Sequence, residues 1–188
     1  MEKTDPRRQS DEMRVITKAP KTDYPAYAEM YMKLTPDDGN ILSYLEENLH
    51  KTKLFIASIS PEKLLFRYAP GKWTIKEILV HIIDDERIFA YRALRFARGE
   101  QLNLPGFDQD QYAVQSKANE RDLASIFEEY ESVRRATITL FKYLPDDSLD
   151  RLGHGTGTFN DATPRALVYH IAGHEQRHLN IIRERYLI

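Results

Sequence analysis

With no cysteine in the chain, its chemistry must run through six histidines and through Asp, Glu, Ser and Tyr. Three of the histidines, His170, His174 and His178, follow one another at spacings of four near the C-terminus. On a helix advancing about 100° per residue, His174 and His178 lie roughly 40° and 80° around from His170. Leu167, Ile171 and Ile181 share that arc, so His174 and His178 sit in the middle of the stripe that should face a core. A buried imidazole needs partners for both ring nitrogens, and two neighbouring ones cannot both be protonated cheaply. A metal ion removes the difficulty, because the i, i+4 spacing offers two ligands from one helix face. The plainer alternative is a pair of core histidines bonded to backbone carbonyls or water.

A tetrahedral site takes a third protein ligand and, if catalytic, leaves the fourth position open. His81, at the border of an earlier helix's apolar face one turn after Ile78, is the natural third ligand. His50 lies off its helix's stripe and is expected to be solvated; His154 falls in the glycine-rich stretch Gly153-His154-Gly155-Thr156-Gly157, from which it could approach the site but is expected to play no part in it. His170, at the stripe's edge, is expected to support the site from behind or to line its pocket. Two carboxylates are catalytic candidates. Asp85 stands one turn after His81 on a similar face, placed to act as a base or to orient a ligand. Glu175 completes the letters H-E-x-x-H, the helix motif of zinc proteases. That reading needs a further ligand, and the ten residues after His178 carry no Gly-x-x-His. Glu175 also projects roughly 80° from the histidine stripe, and no strand is evident to align a peptide. A di-iron carboxylate centre from Glu47-x-x-His50 and Glu175-x-x-His178 fails because Glu47 points away from Leu42, Leu45 and Leu49.

Four helices must position these groups. The first is expected from Thr35-Pro36, an N-cap followed by proline at the first helical position, with a stripe of Leu42, Leu45, Leu49, Ile56 and Ile59. The second has the sharpest start: Thr74 and Glu77 form a capping box, with Trp73 and Ile78 as its hydrophobic staple. The third spans about Asn119 to Leu144, stopped by Pro145, and the fourth opens at Thr163-Pro164. No alternating strand pattern is visible, so the class is all-α and the architecture a four-helix bundle. Residues 99–118, without a clear helix, are long for a connection between antiparallel neighbours. Their length favours parallel second and third helices and an up-down-down-up order. Residues 1–23 are polar and aperiodic and are expected to be a flexible arm; residues 24–188 form the bundle domain, with 24–34 lying across it as an extended or short helical segment.

Composition narrows the partners. At 188 residues the chain is one ordinary domain, and 41% hydrophobic against 30% charged residues suffices for a real core. A net charge of −2 gives no bulk attraction to nucleic acid or to an anionic membrane. No apolar run approaches the roughly 18 residues of a membrane span, and the opening MEKTDPRRQSDEMR has no apolar core of a secretory signal. The expectation is a soluble, cytoplasmic domain acting on a small molecule, with a homodimer allowed by the aromatics of 24–34.

Trp73-Thr74-Ile75-Lys76-Glu77-Ile78-Leu79-Val80-His81 resembles the W-[ST]-x-x-E-x-x-x-H segment of the DinB/YfiT-like superfamily. His170-Ile171-Ala172-Gly173-His174-Glu175-Gln176-Arg177-His178 resembles its closing helix, and Leu104-Pro105-Gly106-Phe107-Asp108 its inter-helix loop. The resemblance covers about residues 25–188. It implies an up-down-down-up four-helix bundle binding one divalent metal through His81, His174 and His178. Members include S-transferases and isomerases that use low-molecular-weight thiols, and others described as metal-dependent hydrolases. A neutral three-nitrogen site suits Zn²⁺, while Ni²⁺, Fe²⁺ or Mn²⁺ can also fill it. The leading expectation is therefore a metal-dependent S-transferase joining a thiol cosubstrate to a small electrophile, since no base is clearly aimed at the metal. Metal-dependent hydrolysis is the alternative. A fourth position closed by Glu175, His170 or Asp85 would instead mark a non-catalytic, metal-stabilised binding module.

Overall fold

The computed structural model describes residues 13–157 and 161–187. Four long helices, α2 (Ile41–Ala57), α4 (Ile75–Ala97), α6 (Leu123–Tyr143) and α7 (Pro164–Ile181), form the bundle. Three short ones, α1 (Glu29–Met32), α3 (Pro61–Leu64) and α5 (Gln109–Gln115), decorate it. Among the described residues there is no strand, only isolated bridges such as Ile16 with Asn40. No described helix is long and apolar enough to cross a membrane.

Side-chain pairs fix the helix directions. Early in α4, Lys76 donates to the Arg121 carbonyl just before α6, and further along Arg87 meets Glu129 and Glu86 meets Arg134. The two helices therefore run parallel. Against α6, α2 runs the other way: Lys53, late in α2, meets Glu131, while the earlier Leu45 carbonyl accepts from the later Arg134. Likewise α7 opposes α4, since His170 pairs with Asp85 and the later His174 with the earlier His81. The order is up-down-down-up, the parallel pair being joined by the long connection.

The helix signals hold at two of the starts. Thr74 accepts from the Glu77 amide at 3.1 Å and Glu77 accepts from the Thr74 amide at 2.7 Å, closing the capping box. Thr163 caps α7 by accepting from the Ala166 amide at 3.2 Å, with Pro164 in the first turn. Thr35-Pro36 opens nothing. The Thr35 hydroxyl instead bonds back to the Met32 carbonyl, and Gly39, at φ 78°, turns the chain before α2 starts at Ile41. Within 99–118, α5 is a helix that the sequence reading lacked, capped by Asp108. The arm also differs from expectation in its described part. Residues 13–23 are tied down: Ile16 is buried, its amide donates to the Gly39 carbonyl at 2.9 Å, and its carbonyl accepts from the Tyr169 hydroxyl at 2.7 Å. Of the short apolar pair Val15-Ile16 in a polar stretch, Ile16 enters a groove that only the folded bundle provides. The part of the arm over 1–12 lies outside the described residues.

The core is two apolar layers with a polar layer between them. Phe89, Phe96, Leu42, Phe141 and Leu167 belong to one layer, and Ile78, Ile82, Leu49, Ile126 and Leu179 to the other. At the level where they meet, the helices present Asp85, Glu86, Arg134, His174 and Glu175, all buried. Burying that many polar groups is costly unless each is partnered, so this layer is where the chemistry must be sought.

Candidate metal centre

The capping box fixes where α4 begins and so places His81 two turns in, facing α7. Trp73, just before the cap, packs its indole against the His81 imidazole, tilted by 54° with ring centroids 4.6 Å apart. From α7, His174 and His178 project toward the same point. His81 Nε2 is 3.1 Å from His174 Nε2, and His178 Nε2 is 3.1 Å from that same atom. One ligand nitrogen from each of the three lies within 4.8 Å of the others. Three imidazoles at about 2.0–2.1 Å from a tetrahedral ion would set their nitrogens about 3.3 Å apart, so the cluster matches such an ion with little adjustment.

The electrostatics agree. Burial pushes the pKa of His81 down, that of His174 well down, and that of His178 to about 3, with the neighbouring imidazoles adding to the shift in the last two. All three rings are therefore neutral near pH 7, the form that ligates metal. With His174 Nε2 approached by both other rings, three neutral imidazoles share one acceptor between two neighbours at best, a crowding that a cation bound by all three lone pairs would relieve.

Asp85 acts behind the cluster. Its Oδ2 is 3.2 Å from His174 Nδ1 and 3.2 Å from His170 Nε2. A carboxylate on Nδ1 holds the proton there and leaves the His174 Nε2 lone pair for the cluster. His170 thus supports the site from behind through Asp85. Tyr31, from α1, packs edge-on against both His170 and His174, at 5.0 and 5.5 Å. Gly173 permits that approach: a Cβ there would lie 2.2 Å from the Tyr31 carbonyl oxygen.

Glu175, the base that the H-E-x-x-H motif suggests, faces away from the cluster. It is fully buried on the other side of α7, accepting from Thr52 at 2.7 Å, from the Tyr130 hydroxyl, and from Arg134 at 2.8 Å. His50 is exposed, and His154 lies in its loop beside Asp161 at 3.1 Å. Neither joins the cluster.

Two clefts reach the histidines. The larger, of about 420 Å³, is walled by His174, Asp85, Tyr31 and Arg92, with Gly106 and Thr156 at its loops. The smaller, of about 350 Å³, is walled by His178, Trp73, Tyr68 and Tyr186, with Asp110 from α5. Gln109, at the start of α5, borders both. Sequence reasoning missed Trp73, Tyr31 and Arg92 as parts of the site. The signal for Arg92 was present, since it stands seven residues after Asp85 on the same face of α4.

Comparison with known proteins agrees with this geometry. The profile of the DinB superfamily matches residues 44–182. A protein of Oceanobacillus iheyensis, whose name proposes a metal-dependent hydrolase, is 28% identical over 145 residues, covering 76% of this chain and 81% of its own. The structure is similar to that of YfiT from Bacillus subtilis, described as a probable metal-dependent hydrolase with an unusual four-helix bundle topology. The TM-score is 0.61 at 16% identity, over 89% of this chain and 93% of that one.

Proposed function

The chain belongs to the DinB superfamily, and from that premise we propose that it is a divalent-metal-dependent enzyme in which His81, His174 and His178 hold the ion. The observation that carries this reading is the convergence of three buried, neutral Nε2 atoms on one point, with Asp85 fixing the central ring. Zn²⁺ suits the donor set, and Ni²⁺, Fe²⁺ or Mn²⁺ fit it as well. When bound, such an ion supplies a Lewis acid whose remaining position can stabilise a thiolate or bring the pKa of water to about 7.

The reaction we favour is transfer of a low-molecular-weight thiol to a small electrophile. The thiol gives up its proton to solvent, its sulfur forms the new bond to carbon, and the leaving group departs with the electron pair. Two features support it. Two clefts, both bordered by Gln109, end on different ligands, His174 and His178, which gives two organic substrates an approach each. The two candidate carboxylates are also both engaged, Asp85 with His170 and His174, and Glu175 with Thr52, Tyr130 and Arg134. With no cysteine in the chain, the thiol must come as a cosubstrate. Hydrolysis is the second reading, favoured by the descriptions given to the two relatives.

An assay of bacillithiol, mycothiol, glutathione and coenzyme A against a panel of electrophiles separates the two, with ester and amide hydrolysis run in parallel. Metal-dependent turnover is expected only with a thiol present. Metal-dependent hydrolysis indifferent to thiols would reverse the choice. Metal retained without turnover of either kind would point to a binding module.

A further inference from the structure

The smaller cleft is walled by rings that ligate nothing. Tyr68, Trp73 and Tyr186 form its sides, Ile78 and Ile181 add aliphatic lining, and it ends on His178. Two distant parts of the chain set these rings in place. Gly71, at φ 75°, supplies the turn that delivers Trp73 to the α4 cap, where it packs against His81. After α7, Ile182–Tyr186 form a π-helical turn, whose wider winding changes the direction in which side chains leave the axis. Tyr186, at the end of that turn, is only 1% exposed, and its hydroxyl donates to the Trp73 carbonyl at 2.6 Å. Tyr68 stands edge-on to Tyr186, with ring centroids 5.0 Å apart and planes at 85°.

These contacts fix the rings and still leave aromatic surface open. Tyr68 is 36% exposed and Trp73 half-buried, beside a cleft whose volume of about 350 Å³ is that of a small-molecule site. Lys72 and Asp110 are the charged lining residues, one of each sign, and His178 is neutral, so the lining has no net charge to select an ion. Aromatic walls also attract cations, but the metal that the three imidazoles would hold repels one. The occupant that fits is an uncharged planar ring, which gains from aromatic walls beyond the area it buries.

We propose that the smaller cleft takes the ring of an uncharged aromatic electrophile, packed against Tyr68 and Trp73 with its reacting group toward His178. The reacting end of this assignment rests on the metal-centre reading; the ring end does not.

The test uses two hydroxamates of matched size on the zinc-loaded protein. Phenylacetohydroxamate carries a flat ring, and cyclohexylacetohydroxamate a saturated one that a merely apolar cleft would prefer. The wild type should bind the phenyl form about three- to tenfold more tightly. Tyr68→Leu should reduce that preference at least about twofold, and Tyr68→Phe should keep it. Location is read separately, because Trp73 is the only tryptophan in the chain: 4-nitrophenylacetohydroxamate, whose ring quenches indole emission at contact, should quench it. Equal affinities in the wild type, a preference unmoved by Tyr68→Leu, or undiminished Trp73 emission at saturation would each overturn the proposal. If acetohydroxamate itself does not bind, the metal reading is what has failed. The cleft is then read on the same protein through Trp73 emission, titrating benzyl alcohol against cyclohexylmethanol, and equal affinities there would overturn it.

Discussion

His174 and Glu175 are consecutive on α7, and each anchors a buried polar group on its own side of the helix. Around Glu175 the donors and acceptors complement one another. The Arg134 guanidinium meets Glu86 at 2.9 Å, Glu175 at 2.8 Å and the Leu45 carbonyl at 2.9 Å, while Thr52 and Tyr130 donate to the remaining Glu175 oxygen. Around His174 the opposite holds. Two Nε2 atoms crowd the single Nε2 lone pair of His174, and burial disfavours the extra protons that would charge the rings. A cluster whose donors and acceptors match holds a fold together; ring nitrogens that converge with too few donors suit a cation. The comparison therefore assigns stability to the Arg134 side and chemistry to the histidine side, and substitutions can separate them.

The largest effect is expected at Arg134. Arg134→Ala strands two buried carboxylates and should cost about 3–5 kcal/mol in urea unfolding. A loss under about 1 kcal/mol would mean that the network is not what secures the polar layer. Asp85→Asn strikes the other side. It keeps the shape but removes the charge on His174 Nδ1, so metal affinity should fall about 10–100-fold in a chelator competition. Unfolding midpoints of the metal-free protein should shift far less than in Arg134→Ala.

How much of this contrast could be read from the sequence depended on whether its cause was local. The capping box at Thr74 and Glu77, the Thr163-Pro164 start and the four-residue histidine spacing are local, and they hold in the structure. So does the inference of parallel neighbours, because chain length across 99–118 limits where the next helix can begin. The Arg134 network depends on partners from α2, α4 and α7, more than 40 positions apart in the chain. An arginine in a helix stripe reads as solvated until those partners are known. Thr35-Pro36 shows the converse: a valid helix-start signal lost to the turn at Gly39 that Ile16 pairs with. Glu175 was legible only as a negative, its direction away from the histidines, since Thr52 and Tyr130 lie on other helices.

Two smaller effects sharpen the boundary of the site. Gly173→Ala places a methyl against the Tyr31 backbone, 2.2 Å from its carbonyl oxygen. It should cost about 1–3 kcal/mol by differential scanning calorimetry, as α1 is pushed off α7. A change below about 0.5 kcal/mol would show that the α1 contact is slack. His154→Ala should leave metal content unaltered, because its ring meets Asp161 in a loop outside the cluster. A measurable loss of metal there would extend the site to that loop.

The central claim is that three imidazoles share one ion, and elemental analysis of the purified protein beside its His174→Ala variant tests it most directly. The account predicts about one divalent metal per chain in the wild type and essentially none in the variant, with the variant's circular dichroism unchanged. Full metal occupancy in His174→Ala would contradict it.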